Sequence, residues 1–152
     1  METSIKVFDA CKNGNVEAIQ QLISDGLDVN ESLFGKSAPL HVAAIAGKRR
    51  VVKLLLRSDA VVNAKDSEGL TALHHAAARA NVGTARDLVK FKANVNETTT
   101  GLITPLAIAA RKGFAEVRVP LFIMLGGRYG VRKNNYRNVH HFRVTFLARR
   151  VR

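Results

Sequence analysis

Apolar residues fall in two short stripes between Leu40 and Leu56, and the pair of stripes recurs along the chain. Leu40, Ala43 and Ala44 make the first; Val51, Val52, Leu54, Leu55 and Leu56 make the second, interleaved with Lys48, Arg49, Arg50, Lys53 and Arg57. Spacings of three and four predict two amphipathic helices, joined by a left-handed turn at Gly47. Pro39-Leu40-His41, Ala72-Leu73-His74 and Pro105-Leu106-Ala107 repeat this start at steps of 33 residues. Ala43-Ala44, Ala76-Ala77 and Ala109-Ala110 keep the step, as do Val29-Asn30, Val62-Asn63 and Val95-Asn96. A fixed period of this length predicts a solenoid, in which each unit borrows its core from its neighbours.

The period and the run Thr71-Ala72-Leu73-His74-His75-Ala76, close to T-P-L-H-x-A, resemble the ankyrin repeat. The resemblance implies an all-α ankyrin-repeat solenoid of stacked helix–turn–helix units with hairpin loops, and a protein-binding role. It covers residues 1–117, as repeats at approximately 1–32, 33–65 and 66–98 and an incomplete one at 99–117. Residues 118–152 form a basic non-repeat tail. The resemblance also makes His41 and His74 structural, each ring bonding nearby backbone to tie hairpin to helix.

Within that frame the first repeat reads as a cap with its entry worn away. Val7, Ala10 and Cys11 take the places of Leu40, Ala43 and Ala44, and the polar Lys12, Asn13, Glu17, Gln20 and Gln21 suit a face that meets water. In the second, Pro39 belongs in the first helical turn, where its missing N–H costs nothing. Ala38 cannot cap through a side chain, an expected loss of ~1 kcal/mol. Asp59 and Lys92 stand where the family usually has glycine and are expected to be strained if they take positive φ. The third repeat has Thr71 as its expected N-cap. Its second helix replaces the Val-Val-Leu-Leu-Leu pattern with Thr84, Ala85, Asp87, Leu88 and Val89, so this repeat is expected to be the softest complete one. The fourth begins with Thr104 as cap and Pro105, carries Ala107 in place of the motif histidine, and is interrupted by Pro120.

Charge separates the two regions. The chain of 152 residues carries a net +12, but residues 1–117 hold 15 Lys/Arg against 12 Asp/Glu, whereas 118–152 hold 9 Lys/Arg and no acid. Tail cations Arg128, Arg132, Lys133, Arg137, Arg143, Arg149 and Arg150, with aromatics between them, suit a nucleic acid or an anionic membrane as the alternative partner. An acid-free end after an interrupted repeat also fits a changed reading frame, an alternative exon or a truncated longer array. Uncapped repeats of that kind are expected to be marginal, and a polar capping repeat grafted after Val117 to raise the melting temperature.

Chemistry is sparse. One cysteine, Cys11, excludes an intramolecular disulfide and sits at a small-residue core position, so it reads as a buried apolar thiol. Adjacent His74 and His75 face different ways on a helix and make a poor metal pair. His140-His141 lies in the tail without carboxylates or thiols beside it. No nucleophile–base spacing or phosphate-cradling loop stands out, and the reading is a non-enzymatic module without cofactor or metal. No apolar run approaches the ~20 residues of a membrane span, and the start does not read as a signal peptide. The expectation is therefore a cytoplasmic monomer, with the nucleus as the other compartment, and the Asn30 and Asn96 sequons unused. The stripe Lys48-Arg49-Arg50, Lys53 and Arg57 reads first as a solvated helix face and second as a nuclear-import or anion-binding patch.

An ankyrin-like stack offers a concave face of hairpin tips and inner helices. By repeat position the tips supply Phe34, Ser37, Lys65, Ser67, Glu68, Leu70, Thr100 and Ile103. The inner helices supply Lys12, Asn13, Ile45, Ala46, Ala78, Arg79, Arg111 and Lys112. Phe34 and Leu70 are expected to give apolar contact; Arg79, Arg111 and Lys112 favour an acidic partner.

Overall fold

The computed structural model describes residues 2–113, which contain seven helices and, apart from one isolated Leu33–Ser37 bridge, no strand pairing. They are α1 (Glu2–Asn13), α2 (Val16–Ser24), α3 (Pro39–Ile45), α4 (Arg49–Arg57), α5 (Ala72–Ala78), α6 (Val82–Lys90) and α7 (Pro105–Arg111). Helices α1, α3, α5 and α7 pack side by side as an inner row, and α2, α4 and α6 form the row behind them. The expected all-α repeat stack is the observed one. The residues repeating every 33 positions supply its interior: Val7, Leu40 and Leu73 are buried, as are Ala10, Ala43, Ala76 and Ala109, and Ile19, Val52 and Ala85 behind them. Cys11 is enclosed in this core, and burial pushes its thiol pKa up to about 12.

The turn between inner and outer helix has positive φ in every described repeat. Gly14, Gly47 and Gly113 supply it, but in the third repeat Ala80 holds the position at φ 57°. Asp59 (φ 65°) and Lys92 (φ 68°) are left-handed where Gly26 serves the first repeat, which meets the condition under which strain is expected at them. Gly47 answers a second demand. A Cβ there would lie 2.9 Å from Asn81 Oδ1, and the Asn81 amide donates to the carbonyls of Ala44 (2.9 Å) and Ile45 (3.2 Å). The Val-Asn landmarks stitch repeats too: Asn30 Oδ1 accepts from Val61 N–H, and Asn63 Oδ1 from Asn94 N–H, both at 2.8 Å.

Helix entry corrects the expectation for Thr71. Its hydroxyl lies 2.9 Å from His74 Nδ1 instead of capping a helical N–H. That same nitrogen accepts the Thr71 N–H at 3.1 Å, so the imidazole closes the entry. His41 does the same for Ala38 N–H at 3.1 Å, which offsets the missing side-chain cap. Where Ala107 replaces the histidine, the Thr104 hydroxyl is free and caps Ala107 N–H at 3.2 Å.

The basic stripe on α4 is not simply a solvated face. Arg49 bonds the carboxylate of Asp87 on α6 through Nε (2.8 Å) and Nη2 (3.2 Å), and Lys53 Nζ lies 3.7 Å from it. The weak outer helix of the third repeat therefore contains a buried, doubly paired acid. Burial alone would raise the Asp87 pKa, but Arg49, with help from Lys53 and Lys90, holds it below the usual value. Gly83 leaves room for this: a Cβ there would meet Arg49 Cδ at 2.7 Å. Thr84, in the place of Val51, is buried with a hydroxyl that has no partner.

Candidate interaction surface

The tips are short hairpins held to the inner helices by the motif histidines. With Nδ1 accepting from its own repeat, Nε2 carries the ring proton and donates onward: His41 to Ala64 O (2.9 Å), His74 to Ile103 O (3.0 Å). The His74 tie thus reaches the next repeat, whereas Ala64 closes the repeat of His41 itself, just before the following tip. Burial lowers both histidine pKa values, and the carbonyl bonds only partly oppose it. In the first repeat Phe8 takes the ring's place and packs edge-on against Phe34 with centroids 6.0 Å apart. Lys12 lies over the Phe8 ring at 5.9 Å, which puts tip, inner helix and its last turn on one side of the molecule.

The first hairpin turns differently from the two that follow. Lys36 N–H bonds Leu33 O across Phe34 and Gly35, both at positive φ, as a type I′ turn requires. The second tip closes with Gly69 N–H on Asp66 O and Gly69 at φ 77°; the third copies it with Leu102 on Thr99 O and Leu102 at φ 58°. Asp66 Oδ1 accepts from Glu68 N–H and Leu70 N–H, each at 2.9 Å, and Oδ2 lies 2.6 Å from His75 Nε2. Burial pulls the Asp66 pKa upward, yet these bonds leave it lowered. His75, set aside by sequence reasoning, orients Asp66 and with it the tip. Leu33/Val42 and Thr99/Ile108 occupy the equivalent places and have no such pair, although the Thr99 hydroxyl accepts the Ile103 N–H at 3.2 Å.

The hairpins also touch one another. Ser67 N–H donates to Lys36 O at 2.9 Å, and Lys65 Nζ reaches Thr98 O (3.0 Å) and Glu97 (2.9 Å). Of the candidate contacts, Phe34, Ser67, Glu68, Thr100, Arg79, Arg111 and Lys112 are exposed. Ser37, Leu70 and Ile103 are half-buried, the first in the bridge to Leu33 and the last supplying the carbonyl to His74. Lys65 is exposed but engaged with Glu97. Among the described residues Arg79, Arg111 and Lys112 make no ion pair. Sequence reasoning missed Leu102, which is 82% exposed at a tip; counting 33 back to Gly69 marks it as unusual. The tail cations Arg128, Arg132, Lys133, Arg137, Arg143, Arg149 and Arg150 and the break at Pro120 lie outside the described residues. No group of three or more metal-ligating side chains occurs among the described residues, and none of their helices is long and apolar enough to cross a membrane.

Stacked helical hairpins linked by short tips define a repeat-solenoid protein. A family model of ankyrin repeats in three copies matches residues 7–99, and the chain belongs to the ankyrin-repeat family. It is 38% identical over 118 residues to alpha-latrocrustotoxin-Lt1a of Latrodectus tredecimguttatus, covering 77% of this chain and 8% of that protein. It is 30% identical over 113 residues to the ankyrin repeat and KH domain-containing protein mask-1 of Caenorhabditis elegans, covering 73% and 4%. Ankyrin repeat and SOCS box protein 5 of Oryctolagus cuniculus matches at 34% over 108 residues, covering 71% and 32%. The chain thus spans a third or less of the length of these relatives. Ankyrin repeats are generally non-enzymatic protein–protein interaction modules.

Proposed function

We propose that the chain binds a partner protein, without chemistry of its own, on the side formed by the hairpin tips and the last turns of the inner helices. The observation that carries this reading is the combination of a tip edge braced from behind by His41, His74 and the Asp66–His75 pair with exposed cations beside it. A braced edge loses little conformational freedom on binding, so contacts there translate into affinity. The work is that of a scaffold or adaptor, as a monomer in the cytoplasm or the nucleus.

Affinity capture from cell extract tests it, using the full chain and its Arg79→Glu/Lys112→Glu variant. A partner retained by the wild type should be lost by the variant at unchanged melting temperature. Equal retention by both would place binding elsewhere. The tail supplies a second reading, from its 9 cations without an acid across residues 118–152: binding to RNA or anionic lipid. RNA or lipid binding that falls steeply with salt and disappears when residues 118–152 are deleted would support it; salt-insensitive binding would not.

A further inference from the structure

The tip-and-helix face carries its exposed aromatic surface at one end of the stack and, among the described residues, a group of cations without ion pairs at the other. It also exposes Lys12 and Lys36 near the aromatic end and Leu102 at the last described tip. At its N-terminal end Phe34 is 51% and Ile5 49% exposed, with Phe34 seated on Phe8. At the other end Arg79, Arg111 and Lys112 are exposed at the close of α5 and α7. Among the described residues, the acids nearest this end are largely occupied: Asp66 with His75, and Glu97 with Lys65 and Asn94, leaving Glu68 at its tip.

Building on the protein-binding role proposed above, we infer that the ligand is an extended partner segment with an apolar or aromatic residue at one end and an acidic cluster at the other. The aromatic anchor rests on Phe34 and Phe8, and the acids meet Arg79, Arg111 and Lys112. The spacing follows from the packing. Inner helices packed side by side lie ~8–10 Å apart, so the three steps from α1 to α7 span roughly 24–30 Å. At ~3.3 Å per residue an extended segment crosses that distance in about seven to nine residues. The tips form a continuous edge along the way: Ser67 bonds Lys36, and a Cβ on Gly69 would meet Thr100 within 3.0 Å.

Fluorescence anisotropy with the full chain at ~0.15 M salt, where exposed charges further apart than ~8 Å are largely screened, tests this. The probes are labelled synthetic peptides with one Phe separated from Asp-Glu-Glu by eight Gly/Ser residues, each made in both sequence directions. Control peptides shorten the spacer to three or replace the acids with glutamine. One direction of the long peptide should bind at least tenfold more tightly than either control. Phe34→Asn, which suits the left-handed backbone there, and Arg111→Glu should each weaken it about tenfold. Equal binding of long and short spacers would overturn the spacing while leaving a protein-binding face intact. Tight binding untouched by Arg79→Glu and Arg111→Glu would assign the acids to the basic tail, overturning the inference and counting against the face itself. No binding by any long peptide would overturn the inference alone, because partner capture by the full chain reads the broader role separately.

Discussion

At the scale of single residues, two local faults are large enough to measure. The Thr84 hydroxyl is buried without a partner, and the equivalent residue one repeat earlier is Val51. A buried hydroxyl deprived of its hydrogen bonds costs about 1–3 kcal/mol. Thr84→Val, close in shape, is expected to raise the urea-unfolding free energy by ~1 kcal/mol; no change would mean that solvent reaches this hydroxyl. Ala80 is the second fault, in a left-handed turn where the neighbouring repeats use glycine. L-residues lose roughly 1–2 kcal/mol in that conformation, while glycine gives some of this back through its freer unfolded state. Ala80→Gly should therefore raise stability by about 0.5–1 kcal/mol in the same measurement. Both sites were open to counting by 33. Burial of the Thr84 hydroxyl, however, depends on how α4 and α6 pack, which periodicity does not state.

Between elements, the Arg49–Asp87 pair joins neighbouring outer helices. Asp87 is 1% exposed, so removing its partner leaves a buried charge opposed only by Lys53, at 3.7 Å, and by Lys90. Arg49→Met is expected to lower the urea-unfolding midpoint, by less than for a fully dry pair because the Arg49 side chain is 52% exposed. The double variant Arg49→Met/Asp87→Leu should recover most of that loss in a double-mutant cycle, since an apolar pair needs no compensating charge. Additive losses would show that the two side chains act independently. This pair also shows where the sequence stops being legible. The period aligns identical positions of successive repeats, whereas Arg49 and Asp87 are 38 residues apart, at unequal positions. Their meeting depends on the stacking angle and on the gap left by Gly83. The Asp66–His75 contact is illegible for a similar reason: it joins unequal positions nine residues apart, and neither neighbouring repeat carries the pair. By contrast, the helix pairs, the alanine stripes and the burial of Cys11 follow directly from period and residue size.

For the whole molecule, acidity sets a stability profile. His41 and His74 are held below their ordinary value of 6.5 by burial, so the unfolded chain takes up protons that the folded one resists. Stability is then full above that value and declines as pH falls below it. Asp66 and Asp87 are also lowered, from 3.8, but for carboxylates the loss begins only near that ordinary value. Urea midpoints are expected to fall between pH 7 and 5 and to fall again below about 4. A flat profile across the first interval would mean that the histidine rings are not the neutral links described. The aromatic contact that stands in for histidine at the front of the array gives this a direction. Phe8 and Phe34 have no proton to gain, so mild acid loosens the array from His41 onward, while the contact between the first helix and the hairpin at Phe34 stays indifferent to pH. Limited proteolysis near pH 5 would then cut first around the hairpins beside Ala64 and Ile103 and spare the one at Phe34.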